Sequence, residues 1–148
     1  MQSRRAFLLT AAGIGGALTI RPVRATPAAM RDAIRSVIGD AQVRPGKVRL
    51  DLPPLSESGH AVPLTISVDH PMTAGDYVKA IHVFAEKNPQ PYIVSAYLGP
   101  RSGRATIATR VRLADTQTIT AIAQLSDGSC WSGTASVVVT LAACLEEL

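Results

Sequence analysis

The fold of this 148-residue chain is set by the segment SDGSCWSGTASVVVTL, residues 126–141. Asp127-Gly128 is a turn signal, and side chains alternate cleanly in the stretch after it. A period of two over eleven residues predicts a half-buried β-strand that ends close to the end of the chain. Its predicted inner face holds Trp131, Gly133, Ala135, Val137, Val139 and Leu141. Its predicted outer face holds Ser132, Thr134, Ser136, Val138 and Thr140.

Upstream segments repeat this alternation and are separated by turn residues about every ten positions, as in small sandwiches. They cover residues 47–52, 62–68, 77–85, 92–98, 105–112 and 116–125, and a turn is expected at Glu57-Ser58-Gly59-His60. The pattern predicts an all-β fold, an immunoglobulin-like antiparallel β-sandwich of about seven strands. Together with an N-terminal helix, this domain is expected to span residues 26–141.

The single predicted helix begins with a Thr26 cap and Pro27 at its first position. Apolar side chains then recur at helical spacing, and Gly39 or Gly46 is expected to end the pattern. The apolar positions are Met30, Ala33, Ile34, Val37 and Ile38. The sequence therefore predicts one amphipathic helix that packs on the sandwich.

The first 25 residues have the pattern of an export signal. Arg4-Arg5 precedes a 15-residue apolar run, Ala6 to Ile20, and small residues precede a cleavage point after Ala25. A membrane anchor is the alternative, but the run is shorter than the roughly 20 residues that span a bilayer. We therefore expect a twin-arginine signal over residues 1–25, export of the folded protein to the periplasm, and no membrane association after cleavage.

Cleavage would also change the charge of the protein. Removing Arg4, Arg5, Arg21 and Arg24 from 15 basic residues leaves 11, which equals the 11 acidic residues. No basic run remains in the mature chain, so nucleic acid is not an expected partner.

The two cysteines, Cys130 and Cys144, lie on either side of the last predicted strand. Such a strand spans on the order of 35 Å, whereas disulfide-bonded Cα atoms lie within about 7 Å of each other. An internal disulfide is therefore not expected. Cys130 has the parity of Ser132 and Thr134, so it is expected on the solvent-leaning face as a passive thiol. Cys144 follows the strand near the end of the chain, where a thiol can be used chemically.

The sequence gives little support for a metal site or for the common catalytic motifs. His60, His70 and His82 are the only histidines, and their spacing does not favour a metal site. The chain contains no Gly-x-Ser-x-Gly elbow, phosphate loop or Cys-x-x-Cys pair. No cofactor is therefore expected.

Several blocks of the sequence resemble one family, the sulfur carrier SoxY of the thiosulfate-oxidising (Sox) system. They are Ser58–Leu64 with Asp69–Thr73, Asp76–Ile81 with Ala85–Pro91, Ser102–Ala105 with Thr109–Ala114, and Leu125–Gly128. The resemblance covers about residues 30–144, and the Glu-Lys-Asn-Pro-x-Pro loop and twin-arginine signal make it specific.

The resemblance implies a non-enzymatic carrier whose Cys144 holds thiosulfate-derived sulfur species covalently while periplasmic Sox enzymes act on them. It also implies pairing with a SoxZ-like β-sandwich subunit, which agrees with export of a folded complex. In the family the cysteine lies in a Gly-Gly-Cys-Gly-Gly arm. Here residues 142–148 form an Ala-Ala-Cys-Leu-Glu-Glu-Leu arm instead.

This divergent arm keeps two other interpretations open. In one, the chain is an interaction protein in which Leu145–Leu148 packs as a cap and sulfur is no longer carried. In the other, it is a thiol-redox or thiol-transferase enzyme, although it lacks a resolving cysteine at usable spacing. The two glutamates beside Cys144 disfavour its thiolate and repel anionic thiosulfate, by about 0.5–2 kcal/mol at a solvated site.

Overall fold

Two β-sheets pack face to face, and one helix covers part of the outer face of the larger sheet. The computed structural model describes residues 25–141. The larger sheet has the strand order β1-β9-β8-β5-β6, with β3 also paired to β9, and the smaller sheet has the order β2-β4-β7. The elements are α1 (Pro27–Ile38), β1 (Val43–Pro45), β2 (Val48–Asp51), β3 (Leu55–Ser58), β4 (Val62–Val68), β5 (Val78–Ala85), β6 (Tyr92–Tyr97), β7 (Thr106–Val111), β8 (Gln117–Leu125) and β9 (Cys130–Leu141). The predicted all-β sandwich with one N-terminal helix is confirmed.

The strand predicted from residues 126–141 is β9, the longest strand of the described part of the chain. It pairs with β8 along one edge, and the turn between them has Gly128 at φ 87°. On its other edge it pairs in parallel with β1 near its start and with β3 near its end. Between β1 and β3 the chain crosses to the smaller sheet and forms β2.

Strands β1 and β3 were not predicted, and they raise the number of described strands to nine. Both are short and carry no apolar alternation, because each uses only backbone bonds offered by the free edge of β9. The prediction of a turn at Glu57–His60 was wrong for Glu57 and Ser58, which belong to β3. Side-chain periodicity does not report an interaction that only the backbone makes.

The core lies between the sheets and is formed by the side chains that the alternation placed inward. The inward positions of β4 and β8 are Val62, Leu64, Ile66, Val68, Ile119, Ala121, Ala123 and Leu125, and all of them are buried. Val137 and Val139 of β9 are buried as well. Trp131 packs against the edge of this core and is half-buried, with the Lys47 ammonium 4.8 Å from its ring centroid.

Helix α1 forms as its sequence predicts and covers the outer face of the larger sheet. The Thr26 side chain accepts a hydrogen bond from the Ala29 amide at 3.1 Å, and Gly39 ends the helix at φ 67°. Its apolar side packs on a second cluster made of Ile38, Phe84, Ile122 and Cys130. Within residues 25–141, no helix is long and apolar enough to cross a membrane.

Candidate functional site at the end of strand β9

The sequence places the chemically interesting thiol, Cys144, three residues after the end of β9. Cys144 and the rest of residues 142–148 lie outside the described residues. The structure does describe the platform from which this segment leaves, namely the last residues of β9 and their neighbours. We call this region the arm exit. It consists of Leu141 and the residues that are hydrogen-bonded to the last residues of β9.

The end of β9 is held on both edges. The Val138 amide donates to the Pro54 carbonyl at 2.9 Å, and the Thr140 hydroxyl donates to the Glu57 carbonyl at 2.8 Å. On the opposite edge, the Val139 amide donates to the Thr116 hydroxyl oxygen at 2.9 Å. Side-chain bonds to the backbone thus extend the sheet ladder almost to Leu141.

Gly59 joins the arm exit to the smaller sheet. Its amide donates to the Leu141 carbonyl at 2.8 Å, and its own carbonyl accepts from the Leu113 amide at 2.8 Å. The residue is buried and follows β3 directly. The Ser58-Gly59 part of the first family block therefore has a structural role, because it ties the last residue of β9 to the segment after β7.

Asn88, in the Glu-Lys-Asn-Pro-x-Pro loop, fixes that same segment. Its amide nitrogen donates to the Arg112 carbonyl at 2.9 Å, and its oxygen accepts from the Ala114 amide at 2.9 Å. The Gln117 side chain also donates to this oxygen at 2.9 Å. The loop that makes the resemblance specific is thus a buried clamp at the arm-exit end of the sandwich.

Three large apolar side chains are exposed beside the arm exit. Leu55 is 54% exposed, Val138 47% and Leu141 65%. Leu55 and Val138 are direct partners across the β3–β9 pair, and Leu141 is opposite Ser58. We call these three residues the arm-exit patch. Leu55 and Val138 share the outer face of the larger sheet, whereas Leu141 has the parity of the buried Val137 and Val139 and is exposed because it ends the strand.

The other thiol, that of Cys130, lies at the opposite end of β9. The prediction that it leans toward solvent was wrong, because the side chain is 2% exposed beneath α1. Parity placed it correctly on the outer face, but the helix covers that face. Burial raises the pKa of the Cys130 thiol, a hydrogen bond from Gln124 lowers it, and the charge of Asp127 raises it again. A buried, protonated thiol is a poor nucleophile.

Cys130 is a free thiol among the described residues. Cys130 is the first residue of β9 and Leu141 the last, so about 36 Å of strand separates Cys130 from the arm exit. The absence of a disulfide to Cys144 stays a prediction, since Cys144 is not described.

The three histidines have separate surroundings. His60 follows β3 at the surface, and His70 pairs with Asp76 through Nε2 and Oδ1 at 2.7 Å. His82 is 1% exposed on β5. Across residues 25–141, no group of three His, Cys, Asp or Glu side chains is arranged to hold a metal ion.

A chain of polar side chains that runs from the buried His82 to the exposed Tyr92 was not anticipated from the sequence. The Tyr92 hydroxyl donates to Ser95 Oγ at 2.5 Å, Ser95 is bonded to His82 Nδ1, and His82 Nε2 contacts Gln124 Oε1 at 3.1 Å. These residues come from β5, β6 and β8, so only the strand pairing brings them together. The chain satisfies its buried polar atoms, which is the usual condition of an interior histidine.

These features define a small β-sandwich protein whose second cysteine follows its last strand. The model of the family described as "Sulfur oxidation protein SoxY" matches residues 34–144, three quarters of the chain. The chain therefore belongs to the SoxY family of sulfur oxidation proteins. The family match extends from helix α1 to Cys144.

Solved structures agree on the fold. The sulfur carrier protein SoxY from Chlorobium limicola f thiosulfatophilum superposes with a TM-score of 0.65 at 23% identity, covering 78% of this chain and 100% of that one. The superoxide reductase (neelaredoxin) from Ignicoccus hospitalis gives 0.57 at 14% identity, with 64% and 80% covered. The superoxide reductase from Nanoarchaeum equitans gives 0.55 at 12%, with 65% and 100% covered. No curated protein matches the sequence.

Proposed function

We propose that this protein carries sulfur in the periplasm through a sulfur–sulfur bond to Cys144. The observation that supports the proposal is the contrast between the two thiols. Cys130 is buried under α1 with a raised pKa, whereas Cys144 follows a strand end that is fixed on both edges. Membership of the SoxY family, whose model matches through residue 144, agrees with this assignment.

The chemistry needs only one thiol at a reachable position. The Cys144 thiolate and the terminal sulfur of thiosulfate form a sulfur–sulfur bond in a two-electron oxidation. No group leaves, and an electron acceptor on a partner enzyme of the Sox system takes up the two electrons. Enzymes of that system then act on the bound group. The short distance from Leu141 to Cys144, at most about 11 Å of extended chain, keeps the sulfur close to the sandwich. The sandwich then serves as the handle by which partners recognise the carrier.

The partner and the location are parts of the same proposal. A SoxZ-like β-sandwich subunit pairs with the domain, and the Arg4-Arg5 signal exports the folded pair. Replacing Arg4 and Arg5 by Lys should leave the protein in the cytoplasm of fractionated cells. Normal export of that variant would contradict the twin-arginine assignment.

Complementation tests the carrier role in cells. In a strain that lacks this protein, the Cys144→Ser variant should fail to restore thiosulfate consumption, whereas Cys130→Ser should restore it. The two variants should be compared at equal periplasmic abundance, because Cys130 is in a core. Full restoration by Cys144→Ser would refute the proposal.

The arm-exit patch favours one alternative, an interaction protein that no longer carries sulfur. Leu141 is an exposed apolar residue at the end of β9, Leu55 and Val138 are exposed on the outer face of the larger sheet, and Leu145 and Leu148 follow within seven residues of Leu141. Carboxypeptidase digestion distinguishes the two functions. Rapid release of the last residues supports the carrier, and resistance that disappears on Leu145→Ser and Leu148→Ser supports the alternative.

A further inference from the structure

A row of arginines runs along β7 on the outer face of the smaller sheet. Arg104, Arg110 and Arg112 have the same parity as the exposed Thr106 and Ala108, while Ala105, Val111 and Leu113 between them are buried. Eight residue steps separate Arg104 from Arg112, which makes the row at most about 26 Å long. We call these three residues the arginine stripe.

The guanidinium groups of the stripe have no ion-pair partner among residues 25–141, where the pairs are Arg35–Asp40, His70–Asp76 and Lys87–Asp115. Asp51 and Asp69 flank the same sheet face, and neither lies within ion-pair distance of a stripe arginine. Arg49 adds a further positive charge in the row Arg49–Ser67–Thr106. The face therefore presents unneutralised guanidinium groups, which bind carboxylates with two parallel hydrogen bonds.

One end of the stripe lies beside the arm exit. Arg112 precedes Leu113, whose amide bonds to Gly59, and Gly59 bonds in turn to Leu141. Asn88 holds the Arg112 carbonyl and so fixes this end of the stripe. Backbone hydrogen bonds through Leu113 and Gly59 thus place the Arg112 end of the stripe next to Leu141, at the end of the sandwich from which the chain continues to Cys144.

Because the arm is short, an enzyme that reaches Cys144 must also contact the surface around Leu141. Cys144 lies three residues, at most about 11 Å, beyond Leu141. An enzyme that acts on a sulfur atom held there must bring its own surface onto the residues around Leu141. Arg110 and Arg112 are then covered, and burying unpaired charges is unfavourable unless the partner supplies opposite charges.

Charged residues on an edge strand also prevent it from pairing with other chains. Protection of the free edge of β7 is therefore a second role to weigh for these arginines. Two of the three arginines, Arg104 and Arg112, lie outside the residues Thr106–Val111 that form the strand. Arg49 lies on the opposite edge strand of the same sheet. The charges therefore follow the sheet face as far as the arm exit and are not confined to the free edge.

We propose that the arginine stripe is the docking surface for an acidic rim on the enzymes that act on Cys144. This rests on the carrier function proposed above. The recognised chemistry is a cluster of carboxylates beside the opening that admits the arm. Arg110 and Arg112 contribute more than Arg104, because they lie nearer the arm exit.

The test measures binding without sulfur transfer. The probes are the purified enzymes of the Sox system that load and unload the carrier, and the carrier has the Cys144→Ser background. Arg110→Glu with Arg112→Glu should weaken binding at low salt by about tenfold or more, as expected for reversed close charge pairs, and Arg104→Glu should weaken it less. The loss should shrink as salt is added. The matched control is Arg31→Glu with Lys79→Glu, which makes the same change in net charge at exposed positions on α1 and β5.

Three outcomes would overturn the stripe assignment. In the first, the stripe variant binds as tightly as the control. In the second, the variant self-associates in sedimentation runs while its affinity for the enzymes is unchanged, which would indicate edge protection. In the third, Glu146→Gln with Glu147→Gln raises the affinity in a stripe-dependent way, which would assign the stripe to carboxylates of the chain itself. A failure of Cys144 to take up sulfur would refute the carrier function instead, whatever the stripe variants do.

Discussion

At Gly133 the backbone of β9 lies close against the backbone of β2 in the other sheet. A Cβ atom there would lie 2.2 Å from the Val48 carbonyl oxygen and 2.9 Å from its carbon. Both obstacles are backbone atoms of β2, which cannot move aside as a side chain can. The absence of a side chain at this position therefore sets the spacing between β9 and β2.

We expect Gly133→Ala to lower the free energy of unfolding by about 1–3 kcal/mol, the usual cost of overpacking a core. Gly75→Ala is the matched control, because nothing lies within 4 Å of its added Cβ and its φ is not positive. Urea denaturation of both variants measures the difference. Equal stability of the two variants would show that the sheets do not touch at Gly133.

The raised pKa of Cys130 predicts that the free energy of unfolding depends on pH. Its folded-state pKa is raised by burial, so the folded protein holds the proton more tightly than the unfolded chain does. The stabilisation is complete below the pKa of an unfolded cysteine, about 8.5, and is lost as pH rises through the folded-state value. In a Cys144→Ser background, the free energy of unfolding should fall as pH rises above about 8.5.

The control for this prediction is Cys130→Ala in the same background. It should remove that part of the pH dependence and leave the rest of the curve unchanged. The same slope in both proteins would mean that Cys130 is not protonated preferentially in the folded state.

Residue-scale features were only partly accessible from the sequence. Parity assigned Cys130 to the outer face of β9 correctly, and the amphipathic pattern predicted α1. The chain alone did not indicate that α1 would cover that particular end of the sheet, so the exposure of Cys130 was mispredicted. The clash at Gly133 involves a backbone atom 85 residues away in sequence, which no local pattern reports.

At the scale of elements, the Asn88 clamp joins the loop after β5 to the segment between β7 and β8. Asn88→Ala leaves the Arg112 carbonyl, the Ala114 amide and the Gln117 side chain without their partner. Unsatisfied buried groups cost about 1–3 kcal/mol each, and partial relaxation makes a total loss of about 2–4 kcal/mol the expected result.

Asn88→Asp is the matched variant, because it keeps both accepted bonds and loses the donor to the Arg112 carbonyl. Its stability should lie between those of the wild type and Asn88→Ala in thermal or urea unfolding. If Asn88→Ala unfolds within 0.5 kcal/mol of the wild type, a range typical of exposed positions, the clamp is not structural.

Elements with side-chain periodicity were predicted, and elements without it were not. Strands β4 and β8 have apolar alternation and a buried face, and both were identified. Strands β1 and β3 have three and four residues and follow the edge of β9 through backbone bonds. Such pairings depend on where β9 lies in space, and the sequence does not specify this locally.

For the whole molecule, the sequence indicated the family and the structure explains why its blocks are placed as they are. Ser58-Gly59, the Asn88 loop and the Asp127-Gly128 turn all fix β9 or its surroundings. The arm-exit patch and the arginine stripe arise only when β3, β7 and β9 come together at one end. The described sandwich accordingly fixes the end of β9 by hydrogen bonds on both edges, and it buries Cys130 at the opposite end of that strand.

Covalent attachment of sulfur to Cys144 is visible in the intact mass of the protein. The protein should be purified without reductant from the periplasm of cells fed thiosulfate, beside its Cys144→Ser and Cys130→Ser variants. We expect mass increments of sulfur atoms or thiosulfate in the wild type and in Cys130→Ser. These increments should be lost on adding reductant and should be absent in Cys144→Ser. An unmodified wild-type mass, or the same increments in Cys144→Ser, would contradict it.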